Sequence, residues 1–137
     1  MTVTEKPGEL HIKQSRFIIT GDVKPEEDHT TWWVPLMLTE HSLTASSGDA
    51  SSLFTKEITI RGIETTHYKL NNGQSGFYRV NYSPERLAKL GEVRKLLSVA
   101  DRVGVIADAA AMAVSGLGST TGLLSFLAKL GDEESCL

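Results

Sequence analysis

A single cysteine, Cys136, stands among 137 residues, so no internal disulfide staples the chain. It is second from the end rather than fourth, which excludes a prenylation box, and Ser135-Cys136-Leu137 lacks the basic middle residue of a peroxisomal address. A basic surplus is also missing: 14 Lys+Arg face 17 Asp+Glu, a net charge of -3. That balance argues against a phosphate-neutralising, nucleic-acid-binding protein. No apolar run approaches the roughly 20 residues that a membrane-spanning helix requires. The opening Met-Thr-Val-Thr-Glu-Lys-Pro-Gly has no apolar core of an export signal. These absences read together as a soluble, cytoplasmic chain with neither membrane nor nucleic acid as a partner. What is present is 40% hydrophobic residues, too many for a disordered chain of this small charge. A chain near 150 residues buries roughly two thirds of its unfolded surface, enough for a real core.

The patterning changes near residue 83. Before it, apolar residues alternate; after it, they recur every three or four positions, the signatures of strands and helices respectively. Leu10, Ile12 and Gln14 share a strand face, and an apolar run follows at Phe17-Ile18-Ile19. Trp32, Val34, Leu36 and Leu38 alternate with Trp33, Pro35 and Met37, where Pro35 points to an edge strand or a bulge. Phe54, Ile58 and Ile60 form a third strand candidate. Tyr68 to Leu70, Asn71 to Gln74 and Gly76 to Tyr82 read as a hairpin with a type I′ turn at Asn72-Gly73. Gly21 to Thr31 and Glu40 to Ser52 read as exposed loops.

Ser83-Pro84 then opens a helix that runs through Leu87 and Leu90 to Gly91. Ser98 to Asp101 has capping-box spacing, and Val99, Val103, Ile106, Ala110 and Ala113 form the apolar stripe of a second helix that stops at Gly116. Ser119 or Thr120 opens a third, with Leu123, Leu127 and Leu130 on one face and Gly131 as its stop. The expected fold is mainly β with C-terminal α: a β-sandwich over residues 1–83, then two to three helices over 84–137.

Little of this assembles chemistry. His11, His29, His41 and His67 show no His-Glu-x-x-His and no helical i, i+4 pair. Gly116-Leu117-Gly118-Ser119-Thr120-Thr121-Gly122 resembles a phosphate loop, but Thr121 stands where the dinucleotide fingerprint requires glycine, and the segment joins helix to helix. Glu26-Glu27-Asp28 and Asp28-His29 read as a solvated turn. Asn81-Tyr82-Ser83 matches a glycosylation sequon followed by Pro84. Of Trp32 and Trp33, adjacent strand residues facing opposite ways, one is expected in the core and the other at an interface. Asp108 reads as a structural carboxylate tied to Arg102, Arg79 or a strand end. No catalytic, cofactor or metal residue is assigned.

Three ordered blocks carry a resemblance. They are Gln14-Ser15-Arg16-Phe17 with Trp32-Trp33-Val34-Pro35-Leu36; Lys69-Leu70-Asn71-Asn72 with Gly76-Phe77-Tyr78-Arg79-Val80-Asn81-Tyr82; and Asp101-Arg102-Val103-Gly104-Val105-Ile106-Ala107-Asp108-Ala109. In this order they resemble the region after the catalytic domain of M1 zinc aminopeptidases of the puromycin-sensitive or alanyl type. The resemblance implies a fragment comprising the third-domain β-sandwich and the opening helices of a C-terminal helical superhelix. It also implies that zinc and catalysis belong to the parent, because the family's His-Glu-x-x-His, later glutamate and Gly-x-Met-Glu-Asn loop do not occur here. Arg16, Trp32, Trp33, Tyr78, Arg79, Asp101, Arg102 and Asp108 are then interdomain or structural candidates. The remainder of the parent is the expected partner. A helical array cut at Leu137 is further expected to expose apolar helix faces, and so to self-associate or to have a weakly ordered C-terminus. The rival expectation is a free-standing sandwich that binds peptide or protein through Trp32 or Trp33 and Tyr78 or Tyr82, or through a bare strand edge.

Overall fold

A computed structural model describes residues 1–21, 23–38 and 52–131. Small antiparallel sheets come first and three helices follow. Strands β1 (Thr2–Lys6), β2 (Glu9–Lys13) and β5 (Glu57–Arg61) form one sheet in the order β1-β2-β5. Strands β3 (Val34–Pro35) and β4 (Ser52–Leu53) pair in a second. Pro35 thus sits in a short two-stranded ribbon, where its missing N–H is tolerated.

β1 was not anticipated, although its signal is plain in hindsight. Thr2, Val3 and Thr4 alternate, and Lys6 pairs with Glu9 across Pro7-Gly8. Proline suits the first central position of such a turn, and glycine supplies the φ of +70° at the second. β2 then buries Leu10 and Ile12 completely, pairing them with Ile60 and Ile58 of β5. The free edge of β1 is met by the segment at Asn81, whose N–H donates to the Met1 carbonyl at 2.7 Å.

Three local expectations are corrected. Phe17-Ile18-Ile19 lies in no strand. Phe54 stands outside β4 and β5 with its side chain 65% exposed. Residues 68–82 form no type I′ hairpin: a short 3-10 turn at Asn72–Gln74 replaces it, with positive φ at Asn71, Gly73 and Gln74. The reason is side-chain competition for the backbone. The Asn71 amide donates to the carbonyl of Gly76 and accepts from its N–H, so the turn closes on a side chain rather than on a strand ladder.

The helices follow their caps. Ser83 caps α1 (Pro84–Glu92), Ser98 caps α2 (Val99–Val114) and Ser119 caps α3 (Thr120–Ala128), each accepting a backbone N–H three residues on. Gly116, at φ +73°, ends α2 as expected, so the glycine-rich segment is an interhelix turn. The buried faces differ from expectation. α2 buries Asp101, Val105, Asp108, Ala109 and Met112, while Val99 is exposed and Val103, Ile106, Ala110 and Ala113 are half-buried. α3 buries Gly122 and Phe126, leaving Leu124 and Leu127 exposed. One hydrophobic core runs from Leu10, Ile12 and Leu70 through Leu87 and Leu90 to Val105 and Phe126.

No helix of the described residues is long and apolar enough to cross a membrane. Phe126 is fully buried where α3 packs on α1. Phe126→Ala is expected to cost about 3–5 kcal/mol in urea unfolding, against under roughly 0.5 kcal/mol for the exposed Leu124→Ala.

Candidate functional site: a charged clasp beside an aromatic groove

The segment 69–80 is gripped at two points by carboxylates of α2. Asp101 and Asp108, seven residues apart, project from the same helix face two turns apart. Lys69 Nζ lies 2.7 Å from Asp101 Oδ1, and both side chains are almost wholly buried. The ammonium donates its other two hydrogens to the carbonyls of Leu70 and Asn71, at 3.0 and 2.8 Å. All three donors are therefore satisfied. Asp101 also accepts the Gly73 N–H at 2.8 Å and the Ser98 hydroxyl at 2.7 Å. Burial pushes the Asp101 carboxyl up, but Lys69, Ser98 and Gly73 outweigh it and hold the group below the usual carboxylate range. Burial lowers Lys69 from its ordinary value, against the pull of Asp101.

Asp108 is held differently. It accepts the Val80 N–H at 2.9 Å and one Arg79 N–H at 3.3 Å. Burial dominates there and raises its carboxyl above the usual range. Arg102 is not its partner, because that guanidinium donates to the Leu97 carbonyl at 2.7 Å, within its own helix-entry turn. Of the expected ties for Asp108, the one to Arg79 forms; in place of a strand end it holds the N–H of Val80, which lies in no strand.

A second charged cluster was missed by sequence reasoning altogether. Arg86 of α1, 1% exposed, reaches Glu5 of β1 at 2.7 and 3.0 Å, and Lys89 reaches the other Glu5 oxygen at 2.9 Å. Arg86 also donates to the Thr65 and Thr66 carbonyls and lies 4.0 Å over the Tyr68 ring. Its partner is 81 residues away in sequence, so only its place on the apolar side of α1, beside Leu87 and Leu90, marked it.

Beside the clasp opens a groove of about 520 Å3, walled by Arg16, Phe17, Trp32, Trp33, Phe77, Tyr78 and Arg79 among others. A second lobe of about 450 Å3 shares Phe17, Phe77, Tyr78 and Arg79 and reaches Asp108. Phe77 is fully exposed, and Trp33 and Trp32 are 61% and 44% exposed. The expectation of one core tryptophan is corrected: neither indole enters the core. The cause lies in Gln14, which is buried and bonds both the N–H and the carbonyl of Trp32 at 2.9 Å. That clamp fixes the backbone at residue 32 before the Val34–Pro35 ribbon begins. Trp33 stacks obliquely on Phe54, with centroids 6.3 Å apart. Arg79 lies 5.7 Å over Phe17.

Arg16 is exposed on the groove wall, and its backbone N–H donates to Asp28 at 2.7 Å. Tyr78 is half-buried and donates its hydroxyl to the Leu36 carbonyl at 2.6 Å. Tyr82 is buried and accepts the Leu70 N–H at 2.8 Å, so it presents nothing to a partner. His11 contacts Thr59 and Glu57, while His29 and His67 are exposed and His41 lies outside the described residues, as does Cys136. Among the described residues no three His, Cys, Asp or Glu side chains come together as metal ligands.

The geometry defines a β-to-helix junction: β1 and the 69–80 segment tied by buried charge to α1 and α2, with an aromatic groove open alongside. Residues 67–137 match the model of the ERAP1-like C-terminal domain, and the chain belongs to that family. Similarity extends beyond the matched part. The chain is 41% identical over 130 residues to "Aminopeptidase 2, mitochondrial" of Saccharomyces cerevisiae, covering 93% of this chain and 13% of that protein. It is 35% identical over 115 residues to the puromycin-sensitive aminopeptidase of Caenorhabditis elegans, 78% of this chain and 12% of the other. Against aminopeptidase M1-A of Oryza sativa subsp. japonica the identity is 31% over 142 residues, covering 97% and 16%. The chain therefore spans well under a fifth of the length of these relatives.

Breaking the buried pair from one side, as in Lys69→Met, is expected to cost about 3–5 kcal/mol in urea unfolding, because Asp101 is left buried without its cation. Lys69→Met with Asp101→Leu is expected to cost less than the sum of the single changes, the signature of direct coupling. The two aspartates also act oppositely on pH dependence. The depressed Asp101 contributes stability that is present above the unfolded carboxylate range near pH 4 and is lost as pH falls below it. The raised Asp108 contributes stability when protonated and loses it as pH rises through its folded value. Asp108→Asn should therefore steepen the fall of Tm between pH 5 and pH 3, and Asp101→Asn should flatten it, as read by a pH series of thermal melts.

Proposed function

We propose that this chain is a non-catalytic structural part of a zinc aminopeptidase, an enzyme that removes N-terminal residues from peptides. In this reading residues 1–83 are the sandwich portion and residues 84–137 the opening helices of the C-terminal helical domain. The chain holds that helical domain in place relative to the catalytic part. The observation that carries the proposal is the similarity of nearly the whole chain to a short share of much longer aminopeptidases. The charges support it as well. Lys69 pairs with Asp101, tying the 69–80 segment to α2, and Arg86 pairs with Glu5, tying α1 to β1.

Among the described residues, the histidines and acids do not come together as a zinc site. His11 sits on the sheet against Thr59 and Glu57, and the best-placed carboxylates already hold Lys69, Arg79 and Arg86. The family's zinc, in this reading, is bound by residues elsewhere in the parent. A cytoplasmic setting is part of the proposal; the mitochondrial label belongs to the yeast relative. The exposed Trp33 and Phe77 favour a second reading, a peptide- or protein-binding module acting by itself. Exposed Val114 and Leu124 on the helices, with Leu117 in the turn between them, supply apolar surface for self-association within either reading.

The 137-residue chain supplied with zinc and a fluorogenic aminoacyl substrate is expected to show no turnover; sustained turnover would overturn the proposal. Intact mass on material from the native source completes the test. A much larger, zinc-bearing polypeptide containing this sequence is the expected result, whereas a zinc-free 14.9 kDa species favours the binding module.

A further inference from the structure

The turn gripped by Asp101 carries a reactive bond that the clasp itself covers. Asn72-Gly73 is the one Asn-Gly pair in the sequence, and both residues are exposed. In such a pair the glycine nitrogen can reach the asparagine side-chain carbon with least hindrance, because no Cβ obstructs the approach. The turn cannot dispense with that glycine, since residue 73 sits at φ +71°. Cyclisation requires the Gly73 nitrogen to lose its proton and to swing towards the Asn72 side chain. Both are opposed here. The Gly73 N–H donates to Asp101 Oδ1 at 2.8 Å, and a carboxylate so close disfavours a second negative charge on that nitrogen. Asp101 is also a poor acceptor for the proton, because Lys69 and Ser98 hold it ionised. The swing is blocked because the carbonyl of the same peptide unit accepts the Ser75 hydroxyl at 3.3 Å, while the Asn72 N–H donates to the Met37 carbonyl at 2.9 Å. The Gln74 side chain then lies directly over Gly104 of α2, where any side chain on the helix would collide with it.

We infer that Asn72 is a deamidation site that Asp101 keeps closed, so that residue 72 is converted when the clasp between the turn and α2 opens. In the open turn the Gly73 nitrogen gives its proton to water and bonds to Asn72 Cγ. The Cγ–Nδ2 bond breaks, and the side-chain nitrogen takes up a proton and leaves as ammonia. Water then adds to either carbonyl of the resulting succinimide, which opens to an aspartyl or an isoaspartyl residue at position 72. Water is the sole co-reactant, and it is at hand because the turn is exposed. Either product sets a new negative charge beside the peptide that Asp101 holds, where like charges repel. The isoaspartyl form also lengthens the main chain between residues 72 and 73 and draws the Gly73 N–H off its acceptor. Opening and conversion therefore reinforce each other, and the product is a lasting record that the turn has come away from α2.

The test follows the peptide around residue 72 in the full-length protein, incubated in mildly alkaline buffer and digested at low pH. Liquid chromatography with mass spectrometry separates the amide from both acid products. Conversion is expected to run at least tenfold slower in the folded protein than in urea. Lys69→Met with Asp101→Leu removes the Gly73 acceptor without leaving a buried charge, and should bring the folded rate close to the urea value. Asp101→Asn keeps an oxygen but not the anion, and should fall between. Phe126→Ala weakens the core away from the turn and should leave the rate at that of the parent. Thermal melts confirm that each variant is folded at the incubation temperature. Equal rates in folded and unfolded protein would overturn the inference, as would the absence of conversion in urea. So would folded Asp101 variants that convert no faster than the parent. Acceleration by Phe126→Ala to match the double variant would trace conversion to global unfolding and overturn it too. None of these outcomes touches the proposed function, which stands or falls on polypeptide mass, zinc and turnover.

Discussion

The rest of the structure depends on a charged side chain buried where charge is expensive. Lys69 is almost wholly buried, and its ammonium is tolerated only because Asp101 and two backbone carbonyls surround it. An isolated buried ammonium would cost many kcal/mol, so the pair must form wherever this chain folds. Forming it fixes the distance between the 69–80 segment and α2. Asp108, two turns further on, then has to find its own partners on the same segment, and it meets the Val80 N–H and Arg79. A helix otherwise free to slide on an apolar stripe is instead held in one register. Directional contacts of this kind specify geometry in a way that Leu-on-Leu packing does not.

That constraint explains why α2 turns the face it does. Apolar residues alone favour the Val99, Val103, Ile106 stripe, and by hydrophobicity this would face the core. The structure instead buries Asp101, Val105, Asp108 and Met112, and leaves the other stripe half-covered. The helix rotates because leaving two carboxylates in water would strand Lys69 without a counter-ion and the Val80 N–H without an acceptor. Glu5 and Arg86 repeat the arrangement, tying β1 to α1. The core thus runs unbroken across the junction between sheets and helices.

The groove is a by-product of the same segment. Gln14 bonds both polar backbone groups of Trp32, and Tyr78 bonds the Leu36 carbonyl, so the chain on either side of the two tryptophans is pinned. With the backbone fixed there, the indoles stand in solvent beside Phe77 and the two arginines. Their exposure follows from polar contacts beneath them, and the hydrophobicity of the residues themselves opposes it.

Local chemistry was legible in the sequence wherever it is decided within a few residues. Ser83, Ser98 and Ser119 cap helices because a hydroxyl three residues ahead of an orphan N–H satisfies it wherever the chain goes. Gly116 ends α2 because only glycine adopts positive φ freely. The alternation at Leu10, Ile12 and Gln14 marked a buried strand face for the same local reason. Pro7-Gly8 carried an equally local signal for the first hairpin, and it went unread. The helix faces, the place of the tryptophans and the Arg86–Glu5 tie were not legible. Each is settled between groups 18 to 81 residues apart, through the energy of satisfying a buried charge or backbone polar group. The sequence by itself determined the three helices with their caps, the strand face at Leu10 and Ile12, and the family resemblance. Only the tertiary structure decided which side of each helix faces inward, because that choice belongs to pairs of residues that first meet when the chain folds.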